Sequence, residues 1–253
     1  MTTLTLLIKS SNLGQVKQIE ELLKTQFEHL DVQLEVLSNS AIRWIQVSLS
    51  GEDESIAISY IDKEIGTCPT NLETAKNFSI LRGYISKVDF HKQELTVDIG
   101  VFEPKPIFAT ISLACLQEQL FDFRKVDLKK IVEVYGFAER LPIIIKLLPS
   151  SDKENEGLQA ELSVKQVEKF HHWQQSLLDR LIILGALRET IEGVLERTFL
   201  KRDVIDIETF GIFEHALICK LGTDAAGLVS IVGRYLRNSV FVVFNAKRCL
   251  ISE

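Results

Sequence analysis

The sequence predicts an α+β fold in which a central five-stranded barrel is flanked on each side by a small α/β module. Residues 80–165 hold five strand-like segments and one helical segment, and the regions before and after them mix strands with amphipathic helices. A chain of 253 residues suits two or three small domains better than one core. We therefore predict an α/β module at residues 1–77, a barrel at 78–165, and a helical linker with an α-β-β-α-β module at 166–253.

The barrel prediction depends on a strict alternation in ELTVDIGVF, where Leu95, Val97 and Ile99 are separated by polar side chains. This period of two is typical of a half-buried strand. The apolar segments LRGYISKVDF and PIFATISLACL flank it, and a helical VDLKKIVEVYG, an apolar LPIIIKLL and a final LQAELSV follow. Three strands, a helix and two strands is the order of the OB-fold.

Four segments of the barrel region, RGYISKVD, VDIG, ATIS and AELSVKQ, resemble the S1 variety of OB-fold. Aligned through VDIG, the exposed aromatic positions of that family fall on Gln93 and Thr96, and its histidine falls on Thr110. The resemblance implies an S1-like OB barrel. The aromatic residues on which S1 domains stack bases are absent from these aligned positions.

Five segments are spread along the chain: GEDESIA, RGYISKVDF, VDIG, YGFAERLPIIIK and EHALICKLGTDAAGL. Through them, most of the chain is similar to an archaeal family of unknown function that combines an S1-like barrel with flanking α/β segments. This similarity implies a cytoplasmic archaeal protein and brings no catalytic or binding residues with it.

The N-terminal module has the order β-α-β-β-α. The helix predicted over residues 13–30 carries Val16, Ile19, Leu23 and Phe27 on one stripe, which is the spacing of an apolar helix face. TLTLLIK, VQLEVL and IRWIQVSL are the strands, and GEDESIAISYIDKEIG begins a second helix. We expect a truncated ferredoxin-like module, followed by a turn-rich boundary at residues 66–77.

The C-terminal region begins with a predicted long helix from Lys165 to Leu184, and a second helix follows Gly185. The strands DVIDIETFG and IFEHALICKL, the helix TDAAGLVSIVGRYL and the strand SVFVVFNAKRCLI complete an order close to the ferredoxin-like and KH folds. KH domains clamp nucleic acid with a G-x-x-G loop, and no two glycines of this region have that spacing.

Composition and motif spacing argue against several classes of protein. Cys68, Cys115, Cys219 and Cys249 form no C-x-x-C pair, so we expect free thiols and no zinc site. The five histidines form no H-E-x-x-H or H-x-H group, and no nucleophile is paired with a base. The sequence shows no apolar run of membrane-spanning length and no charged-then-apolar pattern at its start, so we expect a soluble protein without a signal peptide. We expect a cytoplasmic, non-catalytic protein without metal or cofactor.

The barrel supports RNA binding as the first hypothesis for function. The candidate contacts lie on the first strand, its turn and the second-to-third strand region: Arg82, Tyr84, Lys87, Phe90, His91, Lys92, Lys105 and Phe108. Alternatively, each of the three aromatic rings in this set fills the barrel core. The net charge of −6 excludes a strongly basic nucleic-acid coat protein, because phosphate affinity comes largely from lysine and arginine.

A second candidate RNA contact is a C-terminal basic cluster. Arg234 and Arg237 are three residues apart on the predicted helix, and Lys247 and Arg248 close the last predicted strand. With Lys201 and Arg202 nearby, these residues would form a basic patch. The alternative is that they are solvated charges that keep a sheet edge from pairing.

The second hypothesis for function is a protein adaptor. Residues 1–78 carry 6 basic and 11 acidic side chains, whereas residues 197–253 carry 8 and 6. An acidic N-terminal module would more naturally face a protein partner than RNA. By analogy with other S1-like barrels, the ribosome or RNA polymerase would be a suitable assembly.

Overall fold

The computed structural model describes residues 1–38, 43–69, 71–103, 105–149 and 158–245. The chain divides into two compact units, residues 1–77 with 99–107, and residues 78–98 with 108–253. The described residues mix α-helices with β-strands, and five of the strands close into a barrel. The predicted α+β class and the five-stranded barrel are therefore confirmed.

The first unit is built on a three-stranded antiparallel sheet with the order β1-β3-β2. Its elements are β1 (Thr2–Lys9), α1 (Leu13–Gln26), β2 (Gln33–Ser38), β3 (Trp44–Ser50), α2 (Glu54–Glu64) and α3 (Leu72–Asn77). Asn12 caps α1 by accepting a hydrogen bond from the Gln15 amide (3.0 Å), and Ile19 and Leu23 of the predicted apolar stripe are fully buried. The element order of residues 2–64 is β-α-β-β-α, and α3 follows it.

The barrel has the strand order β4-β5-β6-β8-β7, in which β6 and β8 are parallel. Its elements are β4 (Ile80–Asp89), β5 (Glu94–Val101), β6 (Ile107–Ser112), α4 (Leu113–Phe121), α5 (Leu128–Tyr135), β7 (Pro142–Leu147) and β8 (Leu158–Leu162). Leu95, Val97 and Ile99 of β5 are fully buried, while the polar residues between them stay partly accessible. The alternation in the sequence therefore places alternate β5 side chains in the barrel core.

The predicted helix from Lys165 to Leu184 is wrong in its second half. Helix α6 (Val164–Gln175) begins at the cap residue Ser163, and strand β9 (Arg180–Leu184) follows it. All five residues of β9 are buried, because the strand lies in the interior of a sheet. A short, continuous apolar run such as RLIIL has no periodicity that separates a buried strand from a buried helix.

The C-terminal sheet has the antiparallel order β10-β11-β9-β12. After β9 come α7 (Arg188–Arg197), a 3-10 turn (Leu200–Arg202), β10 (Val204–Thr209), β11 (Glu214–Cys219), α8 (Ala225–Val232) and β12 (Val240–Phe244). With β9 included, the order is β-α-β-β-α-β, one strand more than predicted. A hydrophobic core lies on one face of this sheet. Helices α7 and α8 contribute to it, among others, Ile191, Val194 and Leu228.

The other face of the C-terminal sheet is covered by α6 and the end of α5. The Trp173 ring of α6 lies 5.1 Å from the Phe244 ring of β12, centroid to centroid. At Gly136, directly after α5, an added Cβ atom would lie 3.1 Å from Cγ1 of Val242. Both faces of the sheet are thus packed against helices.

Candidate nucleic-acid interface

The turn between β4 and β5 presents an aromatic ring among cations. Phe90 is 49% exposed, and Lys87, His91 and Lys92 are exposed beside it. Asp89 fixes the turn because its carboxylate accepts hydrogen bonds from the amides of His91 and Lys92, both at 3.0 Å. The same carboxylate pairs with the Lys87 ammonium at 2.7 Å. The turn therefore holds Phe90 in solvent on a constrained backbone.

The electrostatics of this turn are nearly balanced. The Lys87 ammonium and the two amide donors lower the pKa of Asp89 to about 2, so its carboxylate is ionised at neutral pH. Lys92 lies 4.0 Å from the Glu94 carboxylate. Two cations thus have two carboxylates as neighbours, and the distinctive chemical feature of the turn is the ring of Phe90.

The structure places Phe108 away from this turn. The Leu113 amide donates to the Gln93 carbonyl at 2.9 Å, so the end of β6 lies beside the turn. Phe108, 37% exposed, lies near the start of β6 and hence about 15 Å along the strand at ~3.3 Å per residue. Lys105 precedes β6 in the β5–β6 connection. The predicted barrel contacts therefore do not form one continuous group.

Tyr84 and Arg82 lie beneath the surface. Tyr84 is 1% exposed. Its ring is therefore buried, as in the alternative that the aromatic rings fill the barrel core. Arg82 is partly buried and, with Arg140 and Tyr84, surrounds the carboxylate of Glu214 on β11, which is 4% exposed. Burial raises the pKa of Glu214 to about 7, although the two guanidinium charges and Tyr84 act to lower it.

Gly211 completes this buried and partly buried group, which we call the Glu214 cluster: Arg82, Tyr84, Arg140, Gly211 and Glu214. A Cβ atom at residue 211 would overlap Oε2 of Glu214 and lie 3.0 Å from Nη2 of Arg82. Among the described residues, neither of these two atoms makes a hydrogen bond. No pattern in the sequence indicates the cluster, because its members become neighbours only in the fold.

A second set of charges attaches α6 to the C-terminal sheet. Lys169 lies 3.2 Å from Oε1 of Glu208 and 3.5 Å from the ring centroid of Phe210. Trp173 Nε1 donates to Oε2 of Glu208 at 3.1 Å, and the Arg180 guanidinium lies 4.9 Å from the Trp173 ring. Burial lowers the pKa of both Lys169 and Arg180. These cations already have partners within the protein.

Arg234 and Arg237 are exposed, but the prediction that they lie on the helix is wrong. Helix α8 ends at Val232, and both arginines lie in the turns that follow. Arg237 Nε donates to the Arg234 carbonyl at 3.4 Å. The predicted contacts Lys247 and Arg248 lie outside the described residues. Sequence reasoning also missed Tyr235, which lies between the two arginines and is 51% exposed.

The described part of the chain contains no group of three histidine, cysteine or acidic side chains that could hold a metal ion. The ring nitrogens of His215 are 3.1 Å from Thr209 Oγ1 and 3.1 Å from the Ile212 carbonyl oxygen. Cys68, Cys115 and Cys219 are free thiols, and burial raises the pKa of Cys219 to about 11. In the described ranges, no helix combines the length and apolar character needed to cross a membrane.

Comparison with known proteins identifies one family model. Residues 178–244 match the DUF2110 C-terminal domain, a domain of unknown function. This match covers β9 to β12, the whole C-terminal sheet with α7 and α8. No curated protein matches the chain. A crystal structure of a Thermus thermophilus protein aligns at 12% identity and a TM-score of 0.17; the alignment covers 96% of this chain and 39% of that one.

Proposed function

We propose that the protein is a non-catalytic RNA-binding protein whose central domain is an S1-like OB barrel. The support for the barrel assignment is the strand order β4-β5-β6-β8-β7 with a parallel β6–β8 pair and helices between the third and fourth strands. The C-terminal β-α-β-β-α-β order supports a ferredoxin-like module, and the β-α-β-β-α order before the barrel supports a truncated one.

The observation that carries this proposal is the exposed ring of Phe90 on the constrained β4–β5 turn. OB-folds bind oligonucleotides with the face of strands two and three and with the loops that join strands one to two and four to five. The β4–β5 turn is the first of these loops. Stacking of a base on an aromatic side chain contributes about 1–3 kcal/mol, and it requires an unpaired base. Single-stranded RNA is therefore the preferred ligand.

The nearly balanced charge of the turn implies modest affinity for an isolated RNA. Affinity for phosphate backbones depends on unpaired lysine and arginine, and the turn cations have carboxylate neighbours. Such a module is better suited to a ribonucleoprotein assembly, where other contacts add to the affinity. The ribosome and RNA polymerase are the assemblies we propose, in the archaeal cytoplasm that the sequence resemblance supports.

The test is RNA binding measured by fluorescence anisotropy at about 50 mM salt, where phosphate contacts are strong. We expect Phe90→Ala to weaken binding of a labelled single-stranded RNA by about ten- to a hundredfold. Phe123→Ala is the matched control, because Phe123 is 71% exposed and lies after α4. Absence of binding by the parent protein, or equal affinity of the parent and Phe90→Ala, would overturn the proposal.

The alternative function is a protein adaptor, and one observation favours it. Leu13 and Ile56 are 74% and 53% exposed at the starts of α1 and α2, in a region that carries 11 acidic and 6 basic side chains. Exposed apolar residues within an acidic surface suit a basic protein partner. A Leu13→Ser, Ile56→Ser variant should lose partners in a native pull-down while keeping RNA affinity. If the parent protein recovers no stable partner, the adaptor function is excluded.

A further inference from the structure

We propose that the C-terminal domain carries a second contact for single-stranded RNA, at which a base stacks on Tyr235. This contact, the Arg197–Tyr235 surface, consists of residues from the end of α7, the 3-10 turn and the turns after α8: Arg197, Lys201, Arg202, Arg234, Tyr235 and Arg237. The inference rests on the proposed RNA-binding function and adds a second site to the one at the β4–β5 turn.

The geometry of Arg197 and Tyr235 prepares an aromatic platform. The Arg197 guanidinium carbon lies 5.6 Å from the centroid of the Tyr235 ring, within the range of a cation–π contact. Arg197 Nε also donates to the Gly193 carbonyl at 3.1 Å, which positions the guanidinium. Tyr235 remains 51% exposed with this contact in place. A base can therefore stack on accessible ring surface while the guanidinium supports the ring.

The charges of this surface are more available than those of the β4–β5 turn. Arg234 and Arg237 are exposed, and within the described ranges neither lies within 4.0 Å of a carboxylate oxygen. Lys201 and Arg202 pair with the exposed Glu196 and the partly exposed Asp203, at 3.1 and 3.7 Å. Five of the six named residues are cations, and only two of these five, Lys201 and Arg202, have a carboxylate within 4.0 Å among the described residues, on a protein whose net charge is −6. Phosphate is the group that such a surface complements.

The packing of the C-terminal sheet explains why the contact lies at the helix ends. RNA-recognition motifs stack two or three bases on the open face of a four-stranded sheet. Here α6 covers that face, since the centroid of the Trp173 ring lies 5.1 Å from that of Phe244 and 5.8 Å from that of Phe210. Bases cannot stack on the sheet without displacing α6. Tyr235 lies outside this packed face, next to exposed cations, and offers the stacking surface that the sheet does not.

The experiment compares variants of the full chain against labelled single-stranded RNA and a duplex of the same sequence. Tyr235→Leu should weaken single-strand binding by about ten- to a hundredfold and leave its salt dependence unchanged, because no charge is lost. Arg234→Gln, Arg237→Gln should reduce the slope of log K against log salt by about 1.4, at ~0.7 per phosphate contact with a single strand. Arg124→Gln, Lys125→Gln is the control, because both residues are exposed in the connection between α4 and α5.

The outcomes separate this inference from the proposed function. If the parent protein binds no RNA, both fail. If Phe90→Ala weakens binding while the Tyr235 and arginine variants bind as the parent does, only the second contact is overturned. Equal loss of duplex and single-strand affinity in Tyr235→Leu would contradict base stacking. Thermal melting of each variant checks folding, and Tyr235→Phe should restore single-strand affinity because it keeps the ring.

Discussion

The C-terminal region contains arginines in two opposite settings, buried and exposed. Arg180 is 2% exposed and donates to Ser176 Oγ and the Leu178 carbonyl at 3.1 and 2.9 Å. Arg234 and Arg237, by contrast, are exposed and lie in turns. The buried guanidinium holds elements together, whereas the exposed pair leaves its charge available to a ligand. A count of arginines in the sequence cannot separate these two roles.

The largest expected change in stability comes from the removal of the Arg180 side chain. Arg180→Ala should lower the free energy of unfolding by about 3–5 kcal/mol, because it deletes a large buried side chain, leaves the Ser176 and Leu178 acceptors without this donor and removes a charge that lies 3.9 Å from the Glu208 carboxylate. Urea unfolding followed by circular dichroism measures the change. Arg234→Ala is the matched control and should stay within about 0.5 kcal/mol of the parent. Similar effects for the two variants would contradict the division into buried and exposed arginines.

The Glu214 cluster should give the protein a pH-dependent stability. The folded pKa of Glu214, raised to about 7 from 4.5, means that the folded state keeps a proton that the unfolded chain releases between these values. The free energy of unfolding should therefore fall as pH rises from 4.5 to 7, by about 3 kcal/mol at ~1.4 kcal/mol per pKa unit. Above pH 7 this contribution is constant.

The Glu214→Gln variant isolates this effect, since glutamine does not titrate. The difference in free energy of unfolding between parent and variant should change by about 3 kcal/mol between pH 4.5 and 7.5. His215 contributes with the opposite sign in both proteins, because burial lowers its pKa and its stabilising effect grows as pH rises to 6.5. A difference that is independent of pH would show that Glu214 titrates normally in the folded protein.

The barrel could be predicted from sequence because its signals are local. The alternation around Leu95, Val97 and Ile99 identified β5, and the polar HKQ after the apolar LRGYISKVDF identified the β4–β5 turn. Strand β9 could not be predicted, since a strand buried on both faces has the same apolar pattern as a helix end. The contact between Arg197 and Tyr235 joins residues far apart in sequence and needed the fold.

The smallest expected effect concerns two glycines that have opposite surroundings. Gly211→Ala should lower the free energy of unfolding by about 1–3 kcal/mol, because its Cβ atom would overlap Oε2 of Glu214 and force the Glu214 cluster apart. Gly193 lies inside α7, with no atom within 4 Å of an added Cβ. Gly193→Ala should therefore stabilise the protein by about 0.5–1 kcal/mol, through helix propensity alone. Urea unfolding of both variants measures these changes in the free energy of unfolding. If Gly211→Ala is as stable as the parent, the close packing of Arg82 and Glu214 against residue 211 is disproved.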